Sequence, residues 1–515
     1  MTWIEQGPRR WVAALVATAL VGALGTAGCI ERVRRKVAPS LTTVDKQAAF
    51  LKVHMRNGDV YVLRRWDVSG STLAGYGQHQ GVDRRTSAEQ AFQIPLADVA
   101  LFETNVVENS SAIAAIAVIG TVSVIVSVAC LTNPKACFGS CPTFYAPDDQ
   151  TGAPVLQAEG FSDAIAPSLE TNDVDALYRS SSSGGAFTLR MTNEAYETHV
   201  VKQADLLAVP RPPGGRVLAR GDELWAASHL AAPAACRADE GDCLGSLVAF
   251  DGASRLSLTD PDDLGTREHI ELDFRGVPPG RHGVVISTRQ SMVTTFLLYQ
   301  GLAFLGETVG AWIAAFERGD DAARTGGRGW QAALGGIEVQ IADGNGWRTV
   351  DEVYETGPIA TDVHLLLLPE GASAERIRLR LARGNWRVDH VAVATLTGRA
   401  RPIRVRPHAI RGTLGAEFAG ERTPATGFPI VTQPGDAYVF SYQLPSDRGP
   451  LELFLDSRGY YLEWMRKEWV AEQAPLRGVQ MVMDPASALR RYAPAYKRVE
   501  PNIERMFWES RYAKP

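Results

Sequence analysis

Apolar and polar residues alternate in short runs along most of this chain, and that period of two predicts strands. Phe50 to Met55 and Val60 to Trp66 alternate on either side of Asn57-Gly58. Asn-Gly favours a tight hairpin turn, because both turn positions need φ > 0. Phe92 to Thr104 supplies at least one more strand. Val155 to Phe161, Thr188 to Met191, Val200 to Val209, Val217 to Ala227, Ile270 to Phe274 and Val284 to Thr288 follow, separated by turn clusters such as Ser180 to Gly185 and Pro210 to Gly215. Strands continue at Ile337 to Ile341 and Trp347 to Val353, which flank Asp343-Gly344-Asn345-Gly346. Others are expected at Val363 to Leu368, Ile377 to Leu381, Val388 to Ala394 and Leu451 to Leu455, with an edge strand within Arg401 to His408. Short strands at this spacing suggest sandwiches.

The period changes in four places. Ser291 to Arg318 is apolar on nearly every face, which predicts a helix buried on most sides. Tyr460 to Val470, Pro485 to Tyr492 and Pro501 to Tyr512 read as helices in the tail. The last of these starts on a proline, where a missing N–H costs least. The fold class expected is therefore mainly β and multi-domain: a small SH3-like β-unit, β-sandwich-like domains, a buried apolar helix and a short helical C-terminus. The contiguous pieces are 29–110, the small β-unit; 111–136, an apolar segment; 137–290, a β-rich domain; 291–328, the apolar helix and a glycine-rich linker; 329–445, a jelly-roll-like sandwich; and 446–515, a strand with the helical tail.

Residues 1–28 read as a signal peptide. Arg9 and Arg10 make a positive start, Trp11 to Leu24 is an apolar core too short to span a bilayer, and Thr26-Ala27-Gly28 lead into Cys29. Small residues before a cysteine resemble the lipobox of bacterial lipoproteins, though Thr26 stands where leucine is usual. The resemblance implies a lipid on Cys29 and a periplasm-facing place in the cell envelope, with the outer membrane favoured because Ile30 is not aspartate. Ala112 to Leu131 runs twenty residues without a charge. It has three readings: a span, a segment at the membrane surface, or buried core. A single span would put a lipidated Cys29 and the later cysteines on opposite sides, so the chain from Phe144 onward is expected on the side of Cys29.

Six cysteines fit an oxidising compartment. Cys29 is assigned to lipid and Cys130 is left over. Cys137 with Cys141 and Cys236 with Cys243 are natural local disulfides, although other pairings of the four, or a zinc site, use the same thiols. The net charge of −5 carries no basic excess and argues against a nucleic-acid partner.

Gly139-Ser140-Cys141-Pro142-Thr143-Phe144-Tyr145, with Glu159-Gly160-Phe161, Leu169-Glu170, Asp173 and Arg190-Met191-Thr192-Asn193-Glu194, resembles a group of uncharacterised bacterial exported proteins. In that group a Ser-Cys-Pro-aromatic segment follows an apolar run and opens a β-rich domain. The resemblance covers about Leu51 to Val209 and implies architecture and export, but no activity.

Familiar catalytic signatures are absent: no G-x-S-x-G, H-E-x-x-H, P-loop or C-x-x-C occurs. No catalytic residue, cofactor or metal is therefore expected. Asp343 to Gly346 and the Asp260, Asp262, Asp263 group read as turns rather than cation loops. Glu159, Glu170, Asp173, Glu194 and Glu197 would matter to a glycosidase only if folding brought two together. Arg404, Arg406 and His408 share one strand face, opposite Ile403 and Val405. They form either an anion-binding strip or a charge-protected edge. Tail aromatics Tyr460, Tyr461, Trp464, Trp469, Tyr492, Tyr496, Phe507, Trp508 and Tyr512, interleaved with Arg466, Lys467, Arg490, Arg491 and Arg505, form either a cation–π surface or a docking face. The function expected is non-enzymatic: binding or envelope assembly, with a membrane and an envelope protein or glycan as partners. The alternative is a hydrolase of envelope polymers.

Overall fold

The computed structural model describes residues 30–110, 141–306, 333–413, 420–422, 428–463 and 472–509, apart from short stretches at 39, 45, 47, 49, 58, 82–86, 163, 165–169, 345 and 355–356. Cys29, Ala112 to Leu131, Cys130, Cys137, Trp464, Arg466, Lys467, Trp469 and Tyr512 lie outside the described residues. The protein is mainly β, with several antiparallel sheets and a few helices.

The first unit is one six-stranded antiparallel sheet. Its order is Ile30–Ala38, Val99–Ser110, Leu51–Met55, Val60–Ser69, Thr72–Gln80, Gln90–Pro95. Leu51, Val53, Leu63, Leu73, Ile94 and Phe102 form its core. The hairpin expected around Asn57 is present, with His54 opposite Val60. Ile30–Ala38 carries five charged residues and no clean alternation, so its pattern gave no strand signal.

Two sandwiches follow, and one is inserted into the other. In the outer sandwich one sheet runs Gly420–Arg422, Ala409–Thr413, Ala437–Leu444, Gly185–Thr192, Thr143–Pro147, Pro154–Glu159. The other runs Ile403–Val405, Glu197–Pro210, Leu451–Glu463, Thr171–Ser182. Phe144, Leu189, Met191, Val201, Leu206, Phe440, Tyr442, Leu453 and Leu455 fill the space between. In the inner sandwich one sheet runs Arg216–Arg220, Glu223–Ala231, Trp386–Arg399, Arg281–Gln290, Asp362–Leu367. The other runs Gly241–Asp242, Pro233–Ala238, Arg267–Phe274, Arg376–Ala382, Ile337–Asp343, Gly346–Val353. Arg376–Ala382 shows why such segments are strands: its arginines point out while Ile377, Leu379 and Leu381 are buried with Trp386, Val284 and Ile270.

The contiguous pieces 137–290, 329–445 and 446–515 do not match this pairing. Glu197–Pro210 bonds along its length to Leu451–Glu463. It also bonds at Leu206, Leu207 and Ala208 to Val405, Arg404 and Ile403. The whole inner sandwich, from Arg216 to Arg399, lies between two adjacent strands of the outer one.

Three helices close the end of the inner sandwich: α1 (Val293–Leu305), α2 (Pro475–Met483) and α3 (Pro485–Glu509). Leu297, Phe304, Met481, Leu489, Ala493 and Tyr496 pack together between them. Phe296 meets Tyr496 and Phe304 meets Tyr492 at ring distances of 5.2 and 5.9 Å, so these tail aromatics serve docking. Gly306 ends α1 at φ 56°, where a Cβ would come within 2.5 Å of Gln473. Glu504 ties α3 to Arg289 at 2.7 Å and also to Arg387, and Glu500 accepts from the Thr259 N–H at 2.7 Å.

Two tail expectations are corrected. Tyr460 and Tyr461 are not helical but end the strand Leu451–Glu463, both buried. Pro501 does not start a helix. Instead α3 runs through Pro494 and Pro501, both on its exposed side, where water can satisfy the carbonyls they leave without an N–H partner. Among the described residues no helix is long and apolar enough to cross a membrane.

Candidate functional site

Arg404 is exposed on the edge strand Ile403–Val405, while Arg406 and His408, also exposed, follow beyond the strand's end. Arg404 is not free for an outside anion. Its Nη1 donates to Asp205 at 3.1 Å and also to Asp456. Those two carboxylates sit directly opposite one another on neighbouring strands. Burial pushes the Asp205 carboxyl up and Arg404 pulls it back, so Arg404 acts as counter-ion to a buried acid pair.

The five acids of the Ser-Cys-Pro region each sit against different neighbours. Glu159 accepts from the Ala360 N–H, and Glu170 holds Lys202 at 2.7 Å and Arg458 at 2.6 Å. Glu197 pairs with His199 at 2.7 Å, and Asp173 lies opposite Ser457. Glu194 receives hydrogen bonds from the hydroxyls of Thr143 at 3.1 Å, Tyr145 at 2.7 Å and Thr192 at 2.5 Å. Residues that carry the resemblance to exported proteins therefore meet in a buried polar knot.

Cys236 and Cys243 form a disulfide. Cys141 is buried. The disulfide closes the small hairpin whose turn presents Glu240 to Arg255, which also holds the buried Glu268 at 2.7 Å. Burial alone would lower Arg255; the hydrogen bonds it donates to both carboxylates outweigh it and raise it. Removing the disulfide with Cys236→Ser should cost about 2 kcal/mol for a loop this short and loosen this hairpin without unfolding the sandwich. Hydrogen exchange at Pro233–Ala238 measures it, and unchanged protection there would contradict it.

Asp343 to Gly346 is a hairpin turn, with Arg348 bonded to Asp343 at 3.1 Å. Asp260 caps its own turn by accepting from the N–H groups of Asp262 and Asp263. Among the described residues no group of His, Cys, Asp and Glu has the arrangement to hold a metal.

A buried polar group lies where the two sandwiches meet, and no candidate residue in the sequence pointed to it. A cavity of about 60 Å³ sits there, lined by Gln157, Tyr178 and Arg179 from the outer sandwich and Phe250, Thr361 and Asp389 from the inner. Burial pushes the Asp389 carboxyl up to about 6, despite a hydrogen bond from the Gly252 N–H at 2.9 Å. Burial, followed by the charge of Arg216, lowers His390 to about 4. Ser287 stands directly opposite His390 on the next strand, and its hydroxyl has no hydrogen-bond partner among the described residues. Beside them Glu452 receives Arg211 at 2.9 Å and Arg216 at 2.5 Å. The Arg216 guanidinium lies 3.7 Å from the centre of the Tyr178 ring.

The signal that could have found this site was Asp389-His390 interrupting Val388 and Val391, both fully buried. The register shifts between Ser287 and Thr288 where that pair is accommodated, which is how a bulge re-aims side chains. The cavity has room for a few waters, whereas ligand pockets run to roughly 300–1,000 Å³. Comparison of the chain with protein-family profiles, with curated proteins and with solved structures finds no match in any of the three.

Proposed function

We propose that this chain is a lipid-anchored, periplasm-facing envelope protein with a binding or assembly role. The observation that supports it most is the junction. Two sandwiches are locked by the Glu452 ion pairs around a water-sized cavity, an arrangement suited to a rigid display body. Cys29 would supply the anchor, and metabolic labelling with a tagged fatty acid should mark the wild type but not Cys29→Ser. Equal labelling of both would remove the anchor from the proposal.

One feature favours the alternative hydrolase: Ser287 facing His390, an imidazole kept neutral by burial. The full chain incubated with isolated envelope polymers separates the two readings. Co-sedimentation with no release of soluble fragments is expected. Fragment release that disappears in Ser287→Ala would establish the hydrolase.

A further inference from the structure

The solvent side of the C-terminal helices has a composition unlike the rest of the surface. Arg491, Arg498 and Arg505 recur every seven residues along α3, and all are exposed. Seven residues advance a helix by about two turns and about 10 Å, so the three lie in one row about 20 Å long. Arg490 beside the row and Arg477 on α2 are exposed as well. Within this patch the exposed carboxylates are Glu472, Asp484 and Glu509, and the partly exposed Asp263 pairs with Arg490 at 3.8 Å. Five arginines face four acids here, but among the described residues the row of Arg491, Arg498 and Arg505 meets only Glu509 in an ion pair, on a chain whose net charge is −5. Asp484 is occupied capping the Ser487 N–H at 3.1 Å, and Glu509 reaches only Arg505, at 3.2 Å. Glu500 and Glu504 point the other way, into the inner sandwich.

A second, independent observation falls on the same region. The three most exposed large apolar side chains among the described residues are Leu258 at 68%, Leu476 at 61% and Met506 at 53%. Leu476 is on α2 and Met506 on α3. Leu258 precedes Thr259, whose N–H and hydroxyl both bond Glu500 on the opposite side of α3, so Leu476 and Met506 are the apolar side chains of this region. Arginines mixed with protruding aliphatic side chains suit the boundary between lipid headgroups and acyl chains. There the charges meet phosphates and the apolar groups leave water. A soluble polyanion would use the arginines and leave the aliphatic groups exposed.

We infer that this face of α2 and α3 docks on the surface of an anionic phospholipid membrane. The contact is independent of Cys29. A juxtaposed basic residue contributes roughly a fivefold gain in partitioning to an anionic surface, so three arginines together should matter about 100-fold. The test uses the full chain carrying Cys29→Ser, which removes any acyl contribution, sedimented with vesicles of phosphatidylcholine alone or mixed with phosphatidylglycerol. Binding to the mixed vesicles only, falling as salt rises, is expected. Arg491→Gln, Arg498→Gln and Arg505→Gln together should lower it about 100-fold, with an unchanged thermal midpoint showing that the helix still docks. Lysine at the same three positions should keep it. Leu476→Ser with Met506→Ser should lower it about tenfold. The inference is overturned if the triple glutamine variant binds as the parent does, or if the parent is retained by dextran sulfate but by neither vesicle.

Discussion

Glu452→Gln is expected to destabilise the folded chain by about 3 kcal/mol, the low end of the cost of removing one partner of a buried ion pair, because the two cations stay partly exposed. The carboxylate is buried and serves two guanidinium groups, one on each side of the entry into the inner sandwich. Burial alone would lower Arg216, but the hydrogen bond and charge of Glu452 outweigh it and hold it above its ordinary value. Glutamine keeps the shape and one acceptor oxygen but removes the charge, so Arg211 and Arg216 would have to turn toward solvent. The expected measurements are a lower urea midpoint and faster proteolysis at Pro212 to Gly215. An unchanged midpoint would show that water already carries these arginines.

Asp389→Asn should raise stability near pH 7 by about 2–3 kcal/mol. The carboxyl has an ordinary value of 3.8 and is pushed up to about 6 in the fold. The folded chain thus binds this proton more tightly than the unfolded one. Its contribution is fully present below the ordinary value, shrinks as pH rises and is lost above about 6. His390 works in the opposite sense, with an ordinary value of 6.5 lowered to about 4. Its contribution is present above the ordinary value and lost as pH falls through about 4. Between those limits the neighbours offset one another. Removing the aspartate should therefore both raise stability at neutral pH and expose a steeper loss on acidification. Urea midpoints at about pH 7 and about pH 4.5 would show this; equal shifts at both would mean that Asp389 does not titrate in the fold.

Strands with one wet face were legible in the sequence. Ile377, Leu379 and Leu381 alternate with arginines, and Ile337 to Val353 carries its turn in plain view. Pairing was not legible. Nothing local to Glu197–Pro210 tells it to bond a strand that begins at Leu451, because alternation records burial and not partnership. Tyr460 and Tyr461 misled for a related reason. The sheet that holds them is buried on both faces, so adjacent positions are both apolar, as they also are in a buried helix. Arg404 was placed correctly on its strand, yet its role turned on Asp205 and Asp456, each distant in sequence. The junction went unseen because its chemistry is assembled from Tyr178, Ser287, Asp389 and Glu452, contributed by four separate strands.

Insertion of one sandwich within another also sets a timetable for synthesis. Glu197–Pro210 is made early, but its long partner Leu451–Glu463 emerges only after every residue of the inner sandwich. While the chain is delivered from its N-terminus, the inner sandwich can close as soon as Arg399 is out, since its strands pair among themselves. The outer half waits meanwhile with an unpaired apolar strand on offer to any passing chain. Such an order favours holding factors that bind extended segments during delivery. It also means that a ribosome stalled before Leu451 leaves a finished inner sandwich tethered to an unfinished outer one.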